Sequence, residues 1–531
     1  MTSLTGKTEQ TLKGTVSPPT LAAALGGSVA QFGILAYVWI NATSLGDCVT
    51  KRTYDACLDD PWSRQVIGTL SIGTLLWLYS LRTLPSQGRS DPSIVDRIWS
   101  ILPWLYSWHL YLSSPTPRGL IMALLSSVWG VRLTYNFFVK GGFSGGEDYR
   151  WEEIRTWPGF KSGWEAFNII FICGFQQLVI LAFSSPAAAP LNSTVPLNII
   201  DLVASILYAA LVLGEATADK QMLIFQTEKY RRIKKGITLG SKYEHGFIRT
   251  GLWAYSRHPN YFCEVSLWWA YYLFSIAAGL PLINWTMCGP LFLSFLFILP
   301  HASLDVTEHL SSRKYPAYES YQKTVSRFIP LPPYPEGELP PLSIKDKCLI
   351  SWFVIGILIT YLIDFEQVLV PEPSAYGMPG PATPRWPPSF FVKAVHWWGN
   401  TADKLVLARP IWFQVAIWLE VVVQAPFYLL AILAFQRRAN WVRMPAIIYS
   451  TVLLTIMPMV LTEQYIGPHA TDKPYLVTAV YGAYVIMPIL VLLRVKDPDV
   501  FPKEKAVKKA AVSKTPAKTP KRAEKSPKRV K

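Results

Sequence analysis

Charge is scarce in this chain of 531 residues: Asp, Glu, Lys and Arg together make up 16%, against 51% hydrophobic and 14% aromatic residues. So little charge excludes an ordinary soluble globular chain and points to a polytopic membrane protein. Cysteine is sparse too, six in all; Cys173, Cys263, Cys288 and Cys348 lie in or beside apolar windows, which leaves Cys48 and Cys57 as the pair open to a disulfide. No internal repeat links the two halves, and no set of residues is expected to hold a metal. The first apolar run is long and follows a polar stretch, so no cleavable signal peptide is predicted.

What is present is a series of apolar windows, each long enough to cross a ~30 Å hydrocarbon core. They lie near 19–41, 63–82, 97–113, 118–138, 164–185, 197–218, 259–280, 283–304, 345–363, 410–435, 444–462 and 473–494. The expected fold is all-α, with about twelve transmembrane helices in two bundles of about eight and four.

Basic loops stay cytoplasmic. The segment 219–257 holds nine basic and three acidic residues, and the loops 305–344 and 436–443 lean the same way. These fall on one side, with both termini. Asn41, Asn192 and Asn284 open Asn-x-Ser/Thr acceptors that map to the opposite, luminal side, as does the loop with Cys48 and Cys57. The tail from Lys503 to Lys531 carries twelve basic and two acidic residues, ten of the sixteen net positive charges. Its Lys-Thr-Pro pattern reads as disorder attracted to anionic membrane lipid, not as a nucleic-acid site. Lys528-Arg-Val-Lys531 loosely resembles an endoplasmic reticulum retrieval ending, which places the expected location in that membrane.

The chain reads as N-terminal spans at 1–90, a first membrane domain at 91–331, a proline-rich linker at 332–344, a second domain at 345–500 and a basic tail at 501–531. Leu331-Pro-Pro-Tyr-Pro-Glu-Gly-Glu-Leu-Pro-Pro341 marks the boundary, because prolines at this density neither continue a helix nor pair in a sheet.

Polar chemistry in the first half gathers where spans meet the cytosol. Glu215 and Asp219 share one helix face, Gln221 follows, and Lys229, Arg231, Arg232, Lys234 and Lys235 form a basic run. Gly251 to Glu264 then packs Trp253, Arg257, His258, Asn260, Tyr261 and Glu264 against the start of an apolar run, and such crowding at a bilayer entry marks a site. The cations suit a phosphate-rich ligand. Tyr315, Tyr318, Tyr321, Arg327 and Pro330 close the half.

The ordered motifs Glu215-x-x-x-Asp219-x-Gln221, Gly251-Leu-Trp253…Arg257-His-Pro-Asn-Tyr261-x-x-Glu264 and Tyr318-x-x-Tyr321…Phe328-Ile-Pro330 resemble the steroid 5-alpha-reductase-related membrane oxidoreductases. Asp96-Arg-Ile-Trp99, Trp129-Gly-Val-Arg-Leu-Thr-Tyr-Asn136 and Glu147-Asp-Tyr-Arg-Trp151 are similar to the uncharacterised branch of that family. The resemblance spans about 90–331. It implies NADPH bound from the cytosol and hydride delivery to a carbon–carbon double bond of a lipid. By the same resemblance Arg257, His258, Asn260 and Tyr261 contact the dinucleotide, Trp253 lines the nicotinamide side and Glu264 stands as an acid on the next turn. Sterol reductases carry an Arg after the residue matched by Phe225, where this chain has Gln226; Lys229 and Arg231 are the cations at hand for a 2′-phosphate. The reduction also needs a proton donor, for which Tyr149, Glu147 and Tyr135 are candidates.

In the second half Asp364 ends one span, and Glu420 and Gln424 lie four apart inside another, where a carboxylate is expensive unless it faces a cavity. Ile359-Thr-Tyr-Leu-Ile-Asp364, Trp418-Leu-Glu420-Val-Val-Val-Gln424-Ala-Pro426 and Val480-Tyr481-Gly-Ala-Tyr484 resemble the EXPERA family, which includes the sigma-2 receptor and the emopamil-binding sterol isomerases. This resemblance spans about 345–505. It implies that Asp364 and Glu420 hold a cationic amine, with Asp403, Gln424, Tyr481 and Tyr484 nearby. The isomerases place a His one turn before the first carboxylate, where this chain has Thr360, so sterol binding is expected rather than isomerisation.

The combined expectation is an NADPH-dependent reductase of a sterol or steroid-like lipid, coupled to a sterol-binding EXPERA module, with lipids as its partners. Three other readings stay open: an S-adenosylmethionine-dependent membrane methyltransferase, since Arg-His-Pro-x-Tyr motifs occur there; a non-catalytic sterol sensor or transport protein; and a bifunctional reductase–isomerase.

Overall fold

The computed structural model describes residues 19–51, 54–83, 90–144, 147–334, 341–369 and 387–502. These residues form helices and no strand, with one isolated bridge between Ser256 and Ser326. Helices satisfy every backbone group internally, as a hydrocarbon solvent requires. The chain divides into two compact units, Met1–Pro333 and Tyr334–Lys531, at a point inside the proline-dense segment. The basic tail lies outside the described residues.

Among the described residues nine helices have the length and hydropathy to cross a membrane, five in the first unit and four in the second. The expected twelve is not reached, because the windows at 63–82, 97–113 and 259–280 fold as Pro61–Thr83, Leu102–Ser113 and Pro259–Ala277. Leu102–Ser113 has 12 residues, about 18 Å of helix and well short of a bilayer core. The other two are interrupted by polar side chains such as Arg64 and Gln65, or Asn260 and Glu264.

The first unit consists mainly of α1 (Leu21–Ala42), α2 (Pro61–Thr83), α3 (Leu102–Ser113), α4 (Pro117–Val139), α5 (Trp164–Asn192), α6 (Ile199–Lys234), α7 (Pro259–Ala277), α8 (Cys288–Ile298), α9 (Ser303–Lys314) and α10 (Tyr318–Thr324). Asn198 and Asp201 cap α6 reciprocally, each side chain taking the other's backbone N–H, which satisfies donors that a helix start leaves open. Asp201 also accepts a forked pair from Arg118 at 2.7 and 2.9 Å, and the same buried guanidinium donates to the carbonyls of Val195, Pro196 and Ala277. One arginine thereby pins the starts of α4 and α6 to the end of α7. The core between them is aromatic: Trp268 lies 4.9 Å from Trp129 and 4.3 Å from Phe183, centroid to centroid.

Gly289 lets α8 close on α5, since a Cβ there would stand 2.1 Å from the Ala182 carbonyl oxygen. Gly289→Val is expected to destabilise the unit by about 1–3 kcal/mol through overpacking, read as a lower thermal midpoint in detergent. An unchanged midpoint would show that the helices do not approach this closely.

The second unit contains α11 (Ile344–Ile359), α12 (Ser389–Thr401), α13 (Ile411–Arg437), α14 (Arg443–Ile466) and α15 (Pro474–Arg494). Two π-helical segments interrupt it, Thr360–Asp364 directly after α11 and Glu420–Gln424 within α13. Pro426 follows the second and withdraws one donor from the ladder there. Phe353, Phe427, Tyr428, Phe435 and Tyr449 fill the core.

Cys57 is disulfide-bonded, and Cys173, Cys263, Cys288 and Cys348 are free. The side chain of Cys48 lies outside the described residues.

Candidate functional site

The Gly251–Glu264 stretch folds around the junction of α6 and α7. Gly251 adopts φ +67°, and the Gln221 carboxamide sits 2.5 Å from where its Cβ would be. Gln221 uses that approach to accept the Leu252 N–H at 3.0 Å. The Trp253 indole donates to the Ala218 carbonyl at 3.1 Å and packs with Phe225, Tyr243 and Ile248. Its own carbonyl accepts the Tyr321 hydroxyl at 2.5 Å, so the tyrosines of α10 brace this segment.

Arg257 is buried and fully engaged. It forks onto Glu308 of α9 at 2.5 and 3.1 Å and donates to the carbonyls of Gln322 and Val325 at 2.8 and 2.6 Å. His258 Nε2 lies 3.2 Å from the same carboxylate. Burial holds the His258 imidazole below its ordinary pKa, against the opposing pull of Glu308. Tyr261 stacks on His258 with centroids 5.5 Å apart. Asn260 differs from its neighbours: its carboxamide oxygen is buried and has no partner among the described residues, which is the state of an acceptor awaiting a donor.

Lys229 donates to the Gly246 carbonyl at 2.8 Å and lies 4.7 Å from the Tyr230 ring centroid, largely buried. Arg231 points outward and pairs with Glu228 at 2.6 Å.

One layer deeper lies a buried acidic cluster. Arg132 of α4 pairs with Glu215 and, at 2.9 Å, with Asp219, both on α6. Asn136 and Lys140, one and two turns on, also reach Asp219, at 2.9 and 3.2 Å. Glu264 of α7 accepts the indole N–H groups of Trp129 at 2.8 Å and Trp268 at 3.2 Å. The structure thus pairs Glu215 and Asp219 through Arg132 and brings Glu264, from the next long helix, within electrostatic range of the same guanidinium.

Of the three proposed proton donors, Tyr135 and Glu147 lie apart from this cluster. Tyr135 is 67% exposed on the outer face of α4. Glu147 pairs with Arg155 at 2.6 Å. Tyr149 opens the short helix Tyr149–Ile154, and its side chain lies outside the described residues. Arg150 forks onto Asp148 at 2.8 and 3.0 Å, and Trp151 donates to Asp96 at 3.0 Å. Arg313 to Glu153, at 2.8 Å, ties this helix to α9. Between α6 and α7 an apolar groove of about 460 Å³ opens, walled by Leu207, Leu211, Trp269, Tyr272 and Leu273.

In the second unit both π-helical segments present a carboxylate. Thr360 donates to Glu420 at 2.8 Å, and Gln367 donates to Asp364 at 3.2 Å. Asp364 lies within electrostatic range of Glu420, and among the described residues neither carboxylate has a cationic partner. Tyr484 stands within range of both. Asp403 is a hub instead: fully buried, it accepts Tyr481 at 2.6 Å, Trp398 at 3.3 Å and the Gln464 side chain. Gln424 accepts Tyr428 at 3.4 Å. Sequence reasoning missed Glu308, Arg132, and the pair Glu366–Arg409, in which one guanidinium nitrogen donates to both carboxylate oxygens at 2.8 and 3.1 Å. Glu308 and Glu366 lie in short polar stretches that no spacing singles out.

A family model described as a protein of unknown function, DUF1295, matches residues 85–325, and the model for EXPERA, the expanded EBP superfamily, matches residues 390–495. The uncharacterized protein C594.04c of Schizosaccharomyces pombe is 34% identical over 273 residues, covering 49% of this chain and 76% of that protein. Sigma intracellular receptor 2 of Xenopus tropicalis is 28% identical over 153 residues, 27% of this chain and 82% of the receptor. Its Homo sapiens counterpart is 29% identical over 156 residues, 27% and 81%. No solved structure matches.

Proposed function

The chain belongs to the family of the S. pombe protein C594.04c and carries a C-terminal EXPERA domain, and from that premise we propose that it is an NADPH-dependent reductase of a carbon–carbon double bond in a sterol or steroid-like lipid. The observation that carries the reading is the buried, unpartnered carboxamide oxygen of Asn260, set between the Arg257–His258 segment and the acidic cluster, on the helix that walls an apolar groove. That oxygen fits a carboxamide N–H of a nicotinamide. Bound there, the cofactor supplies hydride. Asn260 fixes the ring, Glu264 lies one turn deeper as an acceptor for a hydroxyl, and the groove between α6 and α7 excludes water from a lipid body. Arg257, already neutralised by Glu308, positions the loop, while Lys229 and Arg231 are the cations at hand for a phosphate.

The EXPERA unit binds the lipid, or a cationic amphiphile, between Asp364 and Glu420; Thr360 holds Glu420 in place and offers no titratable group for isomerisation. The excess of basic residues in 219–257 supports a cytosolic cofactor side, in the endoplasmic reticulum membrane.

The test is purified full-length protein in lipid nanodiscs, titrated with NADPH and separately with S-adenosylmethionine while unsaturated sterols are supplied. NADPH binding with sterol-dependent oxidation is expected, and Asn260→Ala should weaken NADPH by roughly tenfold, one hydrogen bond's contribution. S-adenosylmethionine binding, or binding of neither, would overturn the proposal.

A further inference from the structure

In the second unit α13 and α14 are consecutive spans joined through the short segment 438–442, so the start of α13 and the end of α14 share the opposite membrane margin. A pocket of about 420 Å³, inside the size range of small-molecule sites, opens there between Trp412 of α13 and Pro458, Met459, Thr462 and Glu463 of α14. The four α14 residues fall at i, i+1, i+4 and i+5, which is one helix face, and Pro458 interrupts the backbone ladder on that face. The flanks are apolar and bare: Ile411 is 81% exposed and Ile466 82%, so the pocket is bordered by surface that meets lipid.

Glu463 is the one charged side chain in that lining, and it is 17% exposed. His469 Nδ1 stands 2.6 Å from its Oε1, and the His469 backbone N–H donates to the same oxygen at 3.3 Å. A carboxylate only accepts, so the facing Nδ1 bears the hydrogen. Among the described residues Oε2 has no hydrogen-bond partner and no Lys or Arg pairs with this carboxylate. A partly desolvated carboxylate at a bilayer margin is costly while its charge goes unanswered. Trp412, packed edge-on against Phe413 at 5.7 Å, brings an indole, the best aromatic partner for a cation. A metal ion needs several oxygen ligands, and no cluster that could hold one is present among the described residues. An indole, a thioether and a single carboxylate suit an alkylated ammonium instead.

We propose that this pocket seats the quaternary ammonium headgroup of a phosphatidylcholine from the adjoining leaflet. Glu463 answers its charge, Trp412 flanks it, and Met459 and Pro458 meet the apolar part of the lipid. The exposed apolar flanks favour a lipid over a soluble cation, because the chains of a lipid lie along them. The site is distinct from the acid pair of this unit: Glu420 follows Trp412 by eight residues along α13, about 12 Å of helix, and neither Asp364 nor Glu420 lines the pocket. Nothing in the assignment depends on the reductase reading.

The test uses the full chain purified in detergent and supplied with equal amounts of dioleoyl phosphatidylcholine and dioleoyl phosphatidylglycerol, with retained lipid read by native mass spectrometry. Wild type should retain phosphatidylcholine over phosphatidylglycerol by about tenfold. Glu463→Gln, which keeps an acceptor for His469, should abolish that preference, Trp412→Leu should reduce it about threefold, and Glu463→Lys should reverse it toward phosphatidylglycerol. Phosphocholine, the same headgroup without chains, should fail to displace the lipid at equal concentration; displacement at parity would overturn a lipid occupant. The same preference in wild type, Glu463→Gln and Glu463→Lys would overturn the site. Loss of the preference in Glu420→Gln but not in Glu463→Gln would seat the headgroup between Asp364 and Glu420 and overturn it as well. Thermal midpoints within a few degrees of wild type separate these outcomes from misfolding.

Discussion

Arg409→Leu is expected to lower the stability of the C-terminal unit by roughly 3–5 kcal/mol, a loss comparable to much of a domain's net stability. Glu366 is 0% exposed and Arg409 3%, so removing the guanidinium strands a carboxylate in a low-dielectric interior. His396 Nε2 lies 3.3 Å from one Glu366 oxygen and offsets the stranded charge only when its ring is protonated. Arg409 adopts φ +46°, and leucine meets the same backbone strain there, so the change removes the charge together with the hydrogen bond to the Val406 carbonyl at 2.9 Å. The double variant Arg409→Leu with Glu366→Leu should recover most of the loss, because replacing both partners removes the stranded charge. Thermal unfolding of the full chain, followed by protease sensitivity of residues beyond 341, measures both. A single variant as stable as wild type would mean that water or a rearranged partner reaches Glu366.

The second large effect concerns recognition. Glu420→Gln should weaken binding of a cationic amphiphile by about 30-fold or more, on the order of 2 kcal/mol. Among the described residues Asp364 and Glu420 face each other without a cationic partner, so a ligand's ammonium would supply the missing charge. Glutamine keeps the shape of the side chain and still accepts the Thr360 hydroxyl that now lies 2.8 Å from Glu420, which preserves the fold. Binding of an uncharged sterol should change by less than about threefold. Displacement of a fluorescent amine, compared with displacement of a fluorescent sterol, reads the difference. Equal amine binding by wild type and variant would leave Glu420 a purely structural hydrogen-bond acceptor.

The helices were legible in the apolar windows because a bilayer demands length and hydropathy from each crossing segment. The i, i+4 spacing placed Glu215 and Asp219 on one face, and they do meet the same arginine. The Gly251–Glu264 stretch was conspicuous because polar residues crowd there against an apolar run. Its internal wiring was not legible. Arg257 reads as a phosphate fork in sequence, yet its partner Glu308 lies 51 positions away in a polar helix that resembles a loop. Arg409 and Glu366 are separated by 43 positions. Partner choice over such distances is set by tertiary packing, which periodicity does not encode. The π-helical turns left no trace for the same reason, since one surplus residue in a helix alters no local composition.

Those turns have a consequence for how the two acids come to meet. Each π-helical segment holds one residue more than an ordinary helix would accommodate in the same rise, so the face presented after it is rotated by about 100° from the face before it. Asp364 closes the first such segment and Glu420 opens the second. The pairing therefore depends on residue count as much as on residue identity: with one residue fewer in Thr360–Asp364, Asp364 would swing about a quarter-turn away from Glu420 while every flanking helix kept its composition. The acid pair is a property of chain length between fixed points, and a surplus residue that can slip along its helix gives the two acids a way to turn toward or away from each other without breaking the helices that carry them.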